Sequence, residues 1–261
     1  MNSSMLAIMR KDLRGVTVNR RLFSSLWILP VIFTVFLPSV FNFIFYVSPE
    51  DSDFTKMIDL LPASMQTGDL TQIMADLALN NIMPVFLLII PVMTSSIMAA
   101  SSFVGEKEKH TLETLLYSPL SLKQIFQAKV LASFSLSMLV TFVSCILLFV
   151  VFGIENYILS GWIPMPSLTW LVLLFLLSPS ISLIAVTLIV RGSAKAQSVE
   201  ESQQSASYLV IPVVLLIVGQ VSGILLINAG VLFLLSILSA VIAWLLMQKS
   251  MKNWNYEKLL R

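Results

Sequence analysis

From Gln203 to Gln248 the chain carries no charged side chain. As a helix rising ~1.5 Å per residue, such a stretch is about twice as long as a bilayer's hydrocarbon core is thick. It must cross, turn once and cross back, and Asn228-Ala229-Gly230 is the natural turn. Four further apolar runs have single-span length. The six expected spans are 22–47, 83–104, 125–152, 168–190, 207–228 and 230–248. Only 11% of the 261 residues are charged and 57% are hydrophobic, where soluble domains carry roughly 25% charged residues. The fold class expected is an all-α membrane protein forming a single transmembrane domain over 1–261. The run after the basic segment Arg10–Arg21 is longer than the ~7–15 residues of a signal-peptide core, so it reads as a span.

Charge sets the orientation. Arg10, Lys11, Arg14, Arg20 and Arg21 precede span one. Lys107, Lys109, Lys123 and Lys129 surround the connection between spans two and three. Arg191 and Lys195 follow span four, and Lys249, Lys252, Lys258 and Arg261 close the chain. Loop 48–82 has Lys56 against six acids, and loop 153–167 has only Glu155. Fifteen of sixteen basic residues thus fall on one side, which the positive-inside rule makes cytoplasmic. Both termini, the segment 1–21 and the tail 249–261 are expected inside, and 48–82 outside. Within that outer loop, Phe54, Met57, Ile58, Leu61 and then Leu70, Ile73, Met74, Leu77 have helical spacing. They predict two short amphipathic helices on the outer membrane surface.

The spans lack ionisable groups away from their ends; Lys129 lies near an edge, where it can snorkel. Proton- and ion-coupled carriers need intramembrane charges, so energy for any transport must come from elsewhere. One cysteine, Cys145, and one histidine, His110, offer little for a zinc site or a nucleophile pair. The polar groups present are small: Ser133, Ser137, Thr141 and Ser144 along span three, and Gly219, Gln220, Ser222 and Gly223 in span five. They suit close helix packing, or else a sliding interface or path between two subunits. Pro30, Pro38, Pro91, Pro179 and Pro212 predict bends.

The connection 105–121, GEKEKHTLETLLYSPLS, is longer than a tight turn needs. Gly105 would break it from span two, and Glu106–Lys109 would form a wet first turn. Leu112, Leu115 and Leu116 make an apolar edge at i, i+3, i+4 spacing. Ser118-Pro119 stops the helix, and Ser121 can cap the next one from near Leu122. A short amphipathic helix at the cytoplasmic surface is expected, suited to transmitting force from a soluble partner.

The run GEKEKHTLETLLYSPLSLKQIFQAK closely resembles the signature of ABC type-2 exporter permeases, E-K-E-x-x-T-L-E-x-L-L-x-[ST]-P-L. Glu106, Lys107, Glu108, Thr111, Leu112, Glu113, Leu115, Leu116, Ser118 and Pro119 match it, as do Leu120 and Lys129. IMRKDLRGVTVNRRLF, with Lys11, Asp12 and Arg21, resembles the family's N-terminal interfacial helix, and SAKAQSVEESQQSASYLVIP its loop after span four. The resemblance implies a coupling helix at 105–121 docked on a cytoplasmic ABC ATPase. It also implies two ATPase copies and a second permease subunit, in a homodimer or heterodimer in the plasma membrane. The chain has no G-x-x-x-x-G-K-[ST] loop, so ATP and Mg belong to the partner, and neither enzyme activity nor a cofactor or metal is expected here. No nucleic acid is expected as a partner; the lipid bilayer is. The cargo expected is amphipathic: an antimicrobial peptide, drug or lipid. An immunity or sensor subunit on the same fold, and a sodium or small-ion efflux permease, are the alternatives.

Overall fold

The computed structural model describes residues 3–47, 70–109, 111, 120–193, 196, 198–221 and 229–252. Its regular secondary structure is helical throughout these residues. Six helices are long and apolar enough to cross a membrane: Arg20–Ile44, Leu70–Glu108, Leu122–Ser160, Leu168–Gly192, Val199–Gln220 and Ala229–Met251. A separate helix, Ser3–Val18, precedes them. Asn19 divides it from span one. Its backbone is extended, and its side-chain oxygen accepts from the Arg21 and Leu22 amides, satisfying two orphan donors of the new helix.

Span two is the central pillar. Within its most apolar window 89% is buried, against 22% for span one, 13% for span five and 17% for span six. It packs on spans three, four and five. The largest core cluster joins Met74, Leu79, Met83 and Leu88 of span two to Leu148 and Phe152 of span three and Trp170 of span four. The outer spans expose apolar side chains such as Phe36, Phe43, Leu215 and Leu234, which lipid tails match without cost.

Proline marks the breaks. A proline ring collides with the carbonyl four residues earlier and offers no amide to it. Single π-turns at Ile32–Phe36, Ala78–Ile82 and Leu173–Leu177 each end two residues before Pro38, Pro84 and Pro179. The wider turn moves the obstructed carbonyl aside. Span two has a second interruption at Leu88, three residues before Pro91. Pro30 and Pro212 remain inside helix.

Several expected boundaries differ. Leu70–Leu77 is not a surface helix; it runs on into span two and buries Ile73, Met74, Ala75 and Leu77. Its apolar face meets the C-terminal ends of spans one and three instead of lipid. The quartet Phe54–Leu61 lies outside the described residues. Span three continues to Ser160, past the expected end at 152, and stops where Gly161 takes φ 70°, the left-handed cap that glycine adopts freely. Gly105 does not end span two, which stays helical to Glu108. Span five starts at Val199, well before 207. Ala229 and Gly230 open span six instead of turning, and Asn228 lies outside the described residues.

Candidate functional site

The C-terminal end of span two and the N-terminal end of span three meet the N-terminal helix in a buried cluster of charges. Met5 and Ile8 of that helix pack on Ile125 and Ala128 of span three, and Val16 on Met98 and Ala132. This lays the helix across both span ends and turns Asp12 inward. Lys129, one residue past Ala128, has a side chain only 2% exposed. It does not snorkel to water. Its ammonium lies 2.9 Å from Glu106 Oε2 and 3.6 Å from Asp12 Oδ2. The same ammonium donates to the Ser102 carbonyl at 2.5 Å and to the Ser102 hydroxyl at 3.2 Å. It stands 5.3 Å from the Phe103 ring centre, close enough for a cation–π contact.

The acids have further partners. Lys11 donates to Glu106 Oε1 at 2.6 Å, and the Ser102 hydroxyl donates to Asp12 Oδ2 at 2.6 Å. Lys11 and Lys129 thus balance Asp12 and Glu106, giving no net charge. Buried ions persist only when both signs and the remaining hydrogen bonds are supplied together. The cluster therefore fastens three elements that are remote in sequence: the N-terminal helix, the end of span two and the start of span three. Glu108, two residues on, accepts from the Val199 amide at 3.2 Å. That places a carboxylate at the first turn of span five, where the helix dipole favours negative charge.

Segment 105–121 is therefore stiffer at its stems than a wet turn would be. Glu106 is buried and Glu108 is tied to span five, so their partners lie within the chain. Lys107 stays in the helix, and the Thr111 amide closes onto the Glu106 carbonyl at 2.9 Å. On the far side Ser121 caps span three as expected: its hydroxyl accepts from the Gln124 amide, and the Gln124 side chain accepts from the Ser121 amide. Leu112, Glu113, Leu115, Leu116, Ser118 and Pro119 lie outside the described residues.

A family model for ABC-2 type transporters matches residues 13–218. The chain belongs to the ABC-2 type transporter family. The match runs from the N-terminal helix through nearly all of span five, so it includes the stems of the connection as well as the helical frame. As an ABC-2 membrane domain this chain is a multi-pass permease subunit, and its family sets it in a membrane beside an ABC ATPase. No curated protein matched the chain.

Other expected ABC-2 site residues fall elsewhere. Ser133, Ser137, Thr141 and Ser144 are each 0% exposed. Ser137 donates to the Pro91 carbonyl at 3.1 Å and lies 3.0 Å from the Thr94 hydroxyl. Ser137 thus ties span three to span two, while Ser133 and Thr141 bond back to the Lys129 and Ser137 carbonyls of their own helix. Gln220 turns inward to the Asn81 carbonyl, within the π-turn of span two. Gly219 is half-buried, and Gly223 lies outside the described residues.

At the opposite end of span three, sequence reasoning missed a second polar tie. Ser39 and Asn42 of span one both donate to the Glu155 carboxylate, Asn42 at 2.9 Å. Asn156 donates to Asn42 Oδ1 at 3.0 Å. Glu155 stood in an assumed loop, and the signal overlooked was that its neighbours can continue the helix of span three.

Proposed function

We propose that this permease is the membrane subunit of an ATP-driven exporter, paired with a second permease subunit and driven by two separate ATPase subunits in the plasma membrane. Segment 112–119 serves as the coupling contact. The observation that carries this reading is the charged cluster, because it joins both stems of that segment to the N-terminal helix. A displacement of the segment by a partner would move three elements at once, since separating them would leave buried charges unpaired. Leu112, Leu115 and Leu116 supply the apolar anchor, and Glu113 sets register against the ATPase. Glu106 and Glu108 hold the stems from within. Both termini face the cytoplasm, as the charge asymmetry argues. Amphipathic cargo is favoured over bare ions, which call for carboxylates or ordered carbonyls along a path.

Glu113→Lys and Leu115→Asp test the coupling role. Each is expected to detach or uncouple the ATPase while the spans remain inserted. Wild-type ATPase association and substrate-stimulated hydrolysis in both variants would overturn it. ATP-dependent flux of an amphipathic substrate in reconstituted vesicles separates export from an immunity or sensor role. For the dimer, Gly223→Leu should weaken pairing if span five meets its mate through small residues.

A further inference from the structure

We infer that the cleft between the N-terminal helix and the cytoplasmic half of span two binds the phosphate-bearing head of a phospholipid from the cytoplasmic leaflet. The cleft has a volume of about 260 Å³. Leu22 and Met98 form an apolar part of its wall, and Lys11, Ser101, Lys109 and Thr111 are among its polar residues. This is an amphipathic lining, and it suits a molecule with a polar head joined to an apolar body.

The charges in the wall favour an anion. Asp12 and Glu106 also face the cleft, but both are answered within the cluster by Lys129, Lys11 and Ser102. Lys109 has no carboxylate partner among the described residues, and the Ser101 hydroxyl has no hydrogen-bond partner among them. Counting Lys129 behind the wall, three cations meet two carboxylates, leaving a net charge of +1. A phosphate needs a cation and hydroxyl donors, and Lys109, Ser101 and the exposed side of Lys11 supply them. Arg10 and Arg14 on the same helix are free of ion pairs among the described residues and draw anionic lipid toward this side.

Gly15 keeps the cleft open. A side-chain carbon built there meets nothing within 4 Å. A side chain added there starts in open space, and a longer one would extend from it into the cleft that Gly15 lines, taking volume from the ligand. The inference rests on the cytoplasmic placement argued above, and it does not depend on the nature of the cargo.

The experiment uses the intact permease in nanodiscs, released and examined by native mass spectrometry for retained lipid. Phosphatidylglycerol is expected to be retained, and diacylglycerol, which lacks the phosphate, is not. Lys109→Glu should lower phosphatidylglycerol retention about tenfold, since each basic residue near the surface contributes on that order. Gly15→Leu should lower it too, while Lys123→Gln, a basic-residue change outside the cleft lining, retains lipid as wild type does. A thermal melt of each variant confirms that the bundle is intact, and Lys109→Arg should restore binding. Equal retention of diacylglycerol would overturn the proposal, as would unchanged binding in both Lys109→Glu and Gly15→Leu. Displacement of the lipid by inorganic phosphate alone would show a free-anion site and reject the lipid as occupant.

Discussion

Lys129 and Glu106 stand 2.9 Å apart at the point where the chain leaves span two and re-enters as span three. Glu106 also takes Lys11 at 2.6 Å, so a single carboxylate holds one lysine from the N-terminal helix and one from span three. Removing either partner strands charge in a place with little water.

Lys129→Met should therefore destabilise the permease by about 3 kcal/mol, the order found when one member of a buried pair is lost. The double variant Lys129→Met/Glu106→Gln should recover part of that loss, because it removes the stranded carboxylate. Denaturation of the purified protein in detergent measures both. Additive losses in the double variant would show that the two residues do not act as a pair.

The outer tie should respond in the same manner on a smaller scale. Asn42→Leu leaves Glu155 with fewer donors and takes from Asn156 one of its two acceptors, the Phe152 carbonyl remaining, and about 1–3 kcal/mol of stability should go with them. Ser39 would still hold one oxygen of Glu155. A thermal melt equal to wild type would show that the outer ends of spans one and three are held by apolar contact alone.

Orientation can be read by labelling single cysteines in a Cys145→Ser background. Tyr157 is 62% exposed near the C-terminal end of span three, and Arg14 is exposed on the N-terminal helix. Tyr157→Cys should react with an impermeant reagent in intact cells, and Arg14→Cys only after permeabilisation. Ser250 is a poor reporter because it is buried and accepts from Arg191 at 2.8 Å. The opposite labelling pattern would invert the topology.

A π-turn is an α-helix with one residue to spare. Deleting Phe175, which is exposed, together with Pro179→Ala should turn span four into continuous α-helix with its core faces still aligned. Deleting Ala185 instead rotates everything beyond it by about 100° and should abolish folded protein. Yield and monodispersity on size exclusion distinguish the two. Equal loss of both would mean that the π-turn is needed for more than accommodating the proline.

The spans were legible because a long uncharged run has few alternatives in water or lipid. Ser121 was legible as a cap because its local chemistry, Ser-x-x-Gln, needs no distant partner. The ends of spans two and three were not. Residues 70–77 and 153–160 carry polar groups that hydropathy assigns to water, yet they bury one face against each other and span one. The charged cluster was half legible. Lys129 within an apolar helix signals a missing counter-charge, but Asp12 and Glu106 lie far off in sequence and no local pattern selects them. The small hydroxyls of span three announced close packing correctly and gave no indication of which helix would be met.

Span three, Leu122–Ser160, is also the one helix running through both polar ties without an interruption. Spans one, two and four each contain a π-turn, and span two contains a second joint at Leu88. A jointed rod absorbs a push by flexing where it is weakest. An unbroken one, gripped at Lys129 below and at Glu155 and Asn156 above, delivers the push to its far end. The 39 residues of span three make a strut roughly 58 Å long. Its tilt at the Lys129 end and the position of the Ser39–Asn42 end of span one are mechanically one variable.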